Sequence, residues 1–403
     1  MKLIFAHRHL TILFISTFLF FTNEALFLPT LPLHLAESGY SNLRIGIILG
    51  AFALGVLVSR PLTGFVTDRK GRKVSLVTGV VFFFISPVLY LVSVDFTYLI
   101  FVRFFHGLGI AFYTTAFPAY ISDTADKERR GEAMGHMATS ITLAFILGPL
   151  AGTTVYDQFG FAPLVWLCTL TGFVNLVVIL MIAEIRIRTD IRERIPYRQA
   201  ILKRGIVVSA GIQLMYGTIF GGIMTFLPLL LKAVDGVSIG LFFMVESVVV
   251  ICCRIMAAHL ADRYGRGPVF FYSFLTILAA VFIISNITTL ALLVAAAVLF
   301  GMGSSLCAPA LTAFVADNTE PATRGMVFGF VSCSFDTGVI TAGIVLGAVA
   351  DLVGFRSMFG ITALSGCVAL ALFALLVRKG VGRSLAWTLV PRHQHRVSAA
   401  GQD

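Results

Sequence analysis

A chain of 403 residues that is 58% hydrophobic and only 12% charged cannot be a water-soluble globule, in which about a quarter of residues carry charge; it must be dissolved in lipid. Its formal charge of +10 would suit a nucleic-acid partner, but the basic residues sit in short connections between apolar runs, which argues against one. A spanning helix needs about 20 apolar residues, and roughly twelve such runs take up nearly the whole length, leaving no room for a large soluble domain.

The predicted spans are, in chain order, residues 10–31, 45–66, 74–94, 97–121, 131–155 and 161–184, then 205–231, 238–260, 268–287, 289–315, 325–350 and 355–377. The first follows Lys2 and Arg8, as a secretory signal would. It is too long for a signal core, contains Glu24 and offers no small-residue cleavage site, so it is read as a retained helix. Residues 185–204 break the apolar pattern with Arg186, Arg188, Asp190, Arg192, Glu193, Arg194 and Pro196. This basic cytoplasmic linker divides residues 1–184 from residues 205–377, six spans each, and residues 378–403 form a tail expected to be solvated and poorly ordered. All six cysteines fall inside apolar runs, without metal-ligand spacing to a histidine, and read as small buried hydrophobes.

With the amino terminus inside, the cytoplasmic connections hold Lys2, Arg8, Arg69, Lys70, Arg72, Lys73, Lys127, Arg129, Arg130, the run from Arg186 to Arg204, Arg263, Arg266 and Arg324. The outer connections hold only Arg44, Lys232 and Arg356. This positive-inside asymmetry puts both termini in the cytoplasm of a multi-pass protein of the plasma membrane, the inner membrane if the organism is Gram-negative.

The chain reads as one unit written twice. Asp68-Arg69-Lys70-Gly71-Arg72 returns 194 residues later as Asp262-Arg263-Tyr264-Gly265-Arg266, and the same offset relates Gly46 to Gly240, Arg60 to Arg254, Gly107 to Gly301, Asp123 to Asp317, Asp157 to Asp351 and Gly160 to Gly354. Six spans separate the copies, so both halves cross the bilayer in the same sense, as parallel repeats about an axis along the membrane normal. A pathway between two such halves is a transport architecture. The loop itself uses Gly71 for a tight turn, and its aspartate and arginines suit helix ends and carboxylates. A loop serving topology alone would need only positive charge.

Gly64, Asp68, Arg69, Gly71, Arg72, Lys73 and Leu76 match the Gly-x-Leu-Ala-Asp-Arg-x-Gly-Arg-Lys-x-x-Leu loop between helices 2 and 3 of the major facilitator superfamily, which the chain resembles over essentially its whole length. Val66 and Thr67 depart from that pattern. The resemblance implies an all-α integral membrane protein with 12 transmembrane helices in two parallel six-helix repeats. It also implies that Asp68 meets the amino terminus of helix 11 near Gly325, that Asp123 receives an arginine, and that these contacts latch the outward-facing state. The second copy has Ala258 at the first glycine position and Gly267 at the lysine position, so the two joints are expected to be unequal. Arg103-Phe104-Phe105-His106-Gly107-Leu108-Gly109 is similar to the family's Arg-x-x-Gln-Gly-x-Gly, with His106 in place of Gln. Gly148-Pro149-Leu150-Ala151-Gly152 resembles the Gly-Pro-x-x-Gly-Gly signature of drug:proton antiporters, with Thr153 at the last glycine. The same element would also serve a tightly packed, kinked helix.

Four ionisable residues lie well inside spans: Glu24, Arg103, Glu246 and Asp336. Each costs about 2.5–3.5 kcal/mol on insertion scales, so all four are expected to face a central cavity. Glu24 and Arg103 can form an ion pair that protonation weakens, or a static pair that fixes packing. Glu246 and Asp336 have no intramembrane cation of their own half to neutralise them, which makes them candidate proton carriers or permanently neutral hydrogen-bond donors. Asn23, His106, Tyr113, Asn175, Gln213 and Tyr216 are weaker cavity candidates, equally suited to interhelical hydrogen bonds.

The expected activity is secondary transport by a monomer, exporting an amphipathic compound or small metabolite in exchange for protons. A facilitator or importer of sugars or organic acids fits the same architecture. A membrane-embedded enzyme or sensor fits poorly: the sequence has no Gly-Lys-Ser/Thr phosphate loop, no His-Glu-x-x-His or comparable metal cluster, no output domain and no call for a cofactor.

Overall fold

A computed structural model describes residues 8–126, 129–184, 201–234, 237–320, 323–377 and 380–390, without the side chains of residues 255–259, 261–262 and 324–325. The first half contains α1 (Arg8–Glu37), α2 (Asn42–Lys70), α3 (Arg72–Leu89), α4 (Phe96–Thr124), α5 (Arg130–Phe159) and α6 (Phe161–Leu180). The second contains α7 (Arg204–Lys232), α8 (Ile239–Tyr264), α9 (Arg266–Ser285), α10 (Leu290–Asp317) and α11 (Arg324–Thr341), then a π-helical turn (Ala342–Leu346) and α12 (Gly347–Leu376). α12 breaks at Gly354, where φ is 78°, so residues 347–353 complete the eleventh crossing and residues 355–376 make the twelfth. A short helix, α13 (Val381–Leu389), follows.

Helices dominate because the bilayer offers no partner for backbone N–H and C=O groups, which a helix satisfies internally. Ten of the described helical stretches are long and apolar enough to cross a membrane, the last of them, Met326–Leu376, holding two crossings, and the 26-residue α8, Ile239–Tyr264, brings the crossings to twelve. The protein is thus an all-α multi-pass membrane protein with twelve transmembrane helices in two parallel sets of six.

Single glycines make the tightest reversals. Gly71 joins α2 to α3 at φ 111°, and its repeat mate Gly265 joins α8 to α9 at φ 91°, a region that side chains disfavour. The end of the bundle that carries these two turns is termed the inner end, and the opposite one the outer end. Between helices, small residues permit backbone contact. A β-carbon on Gly148 or Gly152 of α5 would overlap Ala25 or Leu26 of α1. The Gly-Pro element therefore serves the packing of α5 on α1.

The halves meet where α1 packs on α7, α2 on α11 and its π turn, and α5 on α8. Polar contacts fasten the outer end. Lys232 Nζ lies 2.6 Å from Glu37 Oε1, and Tyr156 Oη donates to Glu37 Oε2 at 2.5 Å. The backbone N–H groups of Asn42 and Leu43 donate to the two carboxylate oxygens of Asp351, each at 2.9 Å. An aspartate of one half thereby caps a helix of the other, matching negative charge to the positive end of α2. Next to this cap, the backbones of Gly46 and Gly343 touch so closely that neither position admits a β-carbon.

Three expectations change. The tail is not wholly solvated: α13 docks on α9 and α12, with Trp387 4.8 Å from the Phe314 ring of α10, centroid to centroid. Its apolar side chains gain by covering the inner end of the second half. Cys168 and Cys307 are buried, but Cys252 and Cys367 are exposed on the bundle, since a lipid-facing surface requires no burial of an apolar side chain. The sixth helix ends at Leu180 rather than 184, and residues 185–200 of the expected linker lie outside the described residues.

Candidate translocation cavity

A cavity of about 400 Å³ opens between the halves, within the usual range for small-molecule sites. Its first wall is built by α1, α2, α4 and α5 with Phe21, Glu24, Phe27, Phe52, Arg60, Arg103 and Phe145. The facing wall comes from α7 and α11 with Phe220, Met224, Phe335 and Asp336. Apolar and aromatic side chains predominate, and charge is confined to four residues.

Glu24 and Arg103 are both only 7% exposed, yet the expected ion pair does not form. Glu24 Oε2 and Arg103 Nε each lack a hydrogen-bond partner. The geometry of α4 turns Arg103 elsewhere: its guanidinium lies 4.4 Å from the ring centroid of Phe52 on α2, a cation–π contact. The two opposite charges remain near one another on one wall, unneutralised by direct contact.

Asp336 is not without a cation. Its Oδ2 lies 2.8 Å from Arg60 Nε, across the interface between α11 and α2, a charge-assisted bond. In the second half itself, Arg254 of α8 donates through Nη1 to the Thr142 hydroxyl of α5 at 3.3 Å. Sequence reasoning missed both arginines as intramembrane charges by weighing each half alone, whereas the anion that pairs with Arg60 comes from the other half. Their recurrence at the 194-residue offset was the available signal.

Glu246 was expected in the cavity and is not among its lining residues. It lies between α8 and α10, where Ser247 Oγ donates to Oε2 at 3.1 Å and Ser304 Oγ to Oε1 at 3.5 Å. The hydroxyls of neighbouring serines, rather than the central chamber, satisfy this acid. The weaker candidates also lie off the lining. Asn23 Nδ2 donates to the Cys168 carbonyl at 2.6 Å, Tyr113 Oη bonds Ser16 and Thr17 at 3.0 and 3.1 Å, and His106 Nδ1 is 3.3 Å from Tyr90 Oη. Asn175 is buried within the first half, Tyr216 packs on Phe335 with centroids 5.7 Å apart, and Gln213 is half-buried on α7.

At the inner end, Arg72 is buried and ties three helices: Nε to Asp123 Oδ2 at 2.8 Å and Nη1 to the Thr67 carbonyl at 2.8 Å. Asp68 is exposed and sits 3.5 Å from Arg72, one turn away. Arg69 lies 4.5 Å over the Phe65 ring, and Lys73 Nζ donates to the Leu180 carbonyl at 2.8 Å. Gly64 faces open space. The expected partner of Asp68, the amino terminus of α11 near Gly325, follows residues 321–322, which lie outside the described residues, and the side chain of Asp262 lies outside them too. In the repeat, Arg266 pairs with Asp317 and donates to the Ala313 carbonyl, while Arg263 lies 5.4 Å over Tyr264. Among the described residues, no group of histidine, cysteine and acidic side chains could hold a metal ion.

The sequence profile of the Major Facilitator Superfamily matches residues 13–244 and 209–400. Over 372 residues, 90% of this chain and 96% of the relative, the protein is 25% identical to an uncharacterized MFS-type transporter of Methanocaldococcus jannaschii. It is 24% identical to the staphylopine export protein of Staphylococcus aureus, covering 86% of this chain and 90% of that one. The solved structure of the nucleoside transporter NupG superposes with a TM-score of 0.77 at 14% identity, over 90% of this chain and 98% of that one, which establishes the likeness of fold.

Proposed function

The chain belongs to the major facilitator superfamily, whose members are transporters and not enzymes, and from that premise we propose that it exports an amphipathic compound or small metabolite in exchange for protons. The observation that carries this reading is the cavity: a mainly apolar chamber between two halves, lined by the carboxylates of Glu24 and Asp336 and the cations Arg103 and Arg60. Similarity to a protein named for export supports the direction.

The cycle follows from the contacts. With the inner end cytoplasmic and the protein in the plasma membrane, substrate enters from inside while Glu37–Lys232 and the Asp351 cap hold the outer end shut. Breaking those contacts lets the halves rock about the cavity, the alternating-access motion of parallel-repeat transporters. Protonation neutralises a carboxylate and weakens its hold on a cation. A proton on Asp336 therefore loosens Arg60, and a proton on Glu24 competes with any cationic group of the substrate.

The test is transport by the purified protein in liposomes and in inside-out vesicles with an acidic lumen. Accumulation should collapse when the proton gradient is dissipated, and Glu24→Gln and Asp336→Asn should each exchange substrate downhill without responding to the gradient. Unchanged gradient-driven accumulation in both variants would reject proton coupling.

A further inference from the structure

The two walls of the cavity differ in what they leave for a ligand. Arg60 and Asp336 neutralise one another at 2.8 Å. On the first wall Glu24 and Arg103 line the same chamber, each more than nine-tenths buried, each with an unpartnered polar atom and with no direct bond between them. A buried charge without its partner is costly in low dielectric. An occupant that satisfies only one of the two leaves the other stranded: a monocation beside Glu24 abandons Arg103, and a monoanion on Arg103 abandons Glu24.

Resting on the transport reading above, we propose that the cavity recognises zwitterionic amphiphiles, molecules that carry an ammonium and a carboxylate close together on an aromatic or aliphatic body. The ammonium sits beside Glu24 and the carboxylate on Arg103. Arg103 is already oriented, stacked over Phe52 and only 7% exposed, so its planar fork can hold a carboxylate with little further ordering. The apolar body rests between Phe21, Phe27 and Phe145 on one side and Phe220 and Phe335 on the other. The four charged residues of the chamber sum to zero, and a zwitterion leaves that sum unchanged.

The volume of about 400 Å³ accepts a hydrophobic dipeptide, which supplies a probe set with one constant body. The full-length protein in lipid nanodiscs is titrated with L-phenylalanyl-L-phenylalanine, its methyl ester (cation only) and its N-acetyl derivative (anion only), reading ligand-dependent thermal unfolding. The free dipeptide is expected to bind at least tenfold more tightly than either blocked form. Glu24→Gln should reduce it to the level of the N-acetyl form without weakening that form, and Arg103→Lys, which keeps the charge but loses the fork, should weaken the dipeptide and the N-acetyl form alike. A methyl ester that binds as tightly as the free dipeptide, or no binding by any of the three, overturns the proposal. Proton-driven export of a lipophilic monocation with no zwitterion binding would sink this inference and leave the exporter reading intact. Tight dipeptide binding with transport indifferent to the proton gradient would do the reverse.

Discussion

Arg60 and Arg254 occupy the same position of the repeat, and so do Thr142 and Asp336, yet the two bonds they make differ. Arg60 of the first half meets a carboxylate, Asp336, at 2.8 Å; Arg254 of the second meets a hydroxyl, Thr142, at 3.3 Å. Each bond crosses between the halves. The bonds that stay within a half tell the opposite story, because Arg72–Asp123 and Arg266–Asp317 keep both charges. Under the rocking cycle proposed above, contacts inside a half survive as it moves as a unit, which accounts for both copies retaining them. Under the same proposal, contacts between halves break and re-form, so their strengths are set separately, and one interface carries an ion pair where the other carries a guanidinium on an uncharged hydroxyl.

Removing the ionic tie should have the largest effect. Asp336→Asn leaves the guanidinium of Arg60 without its anion, a loss of about 3 kcal/mol for a buried pair and less here because Arg60 is 31% exposed. Thermal unfolding should move down by several degrees and gradient-driven transport should fall at least tenfold. Glu246→Gln, which changes an acid that faces two serines outside the cavity, should keep more than half of the wild-type rate. Liposome transport at matched protein levels measures both. Equal losses would erase the distinction drawn here between the two acids.

Equalising the two interfaces is the next test. Thr142→Asp places a carboxylate where the repeat puts Asp336 and within reach of Arg254. A second ionic tie, between α5 and α8, should raise the unfolding temperature and slow turnover about tenfold, equivalent to about 1.4 kcal/mol on the barrier to rocking. Arg254→Gln in the same background should restore the rate. A Thr142→Asp protein that turns over at the wild-type rate would show that the ionic character of the tie does not limit the motion.

How much of this could be read from the chain depends on the distance over which each feature is decided. Spans and repeat were legible because lipid imposes long apolar runs and because glycine turns such as Gly71 and Gly265 recur at a fixed offset. Glu24, Arg103 and Asp336 were legible as cavity residues because a charge in an apolar run must find a polar place. Which partner each one takes was not legible. Arg103 turns to Phe52 instead of Glu24, and Asp336 takes a cation from the other half, since both outcomes depend on the rotation of helices far apart in sequence. Glu246 was misplaced for the same reason: Ser304, which faces it, is contributed by another helix.

The smallest effect concerns the unequal inner loops. In the first half Lys73 ties its loop to the end of α6 through the Leu180 carbonyl. In the second, Gly267 stands at the lysine position, and a β-carbon there would overlap the carbonyl of Trp387 on α13. The missing side chain is thus the seat of the docked helix, and α13 takes over the bracing that lysine provides in the other half. Gly267→Lys should displace α13 and Trp387→Ala should loosen it from Phe314, each lowering stability by about 1 kcal/mol, a typical cost for losing one packing contact, with transport reduced less than twofold. If both changes act through the same docking, the double variant should lose little more than either alone, since coupled neighbours are not additive. Thermal unfolding of the two single variants and the double variant decides the point, and full additivity would mean that Gly267 is a glycine for some reason other than α13.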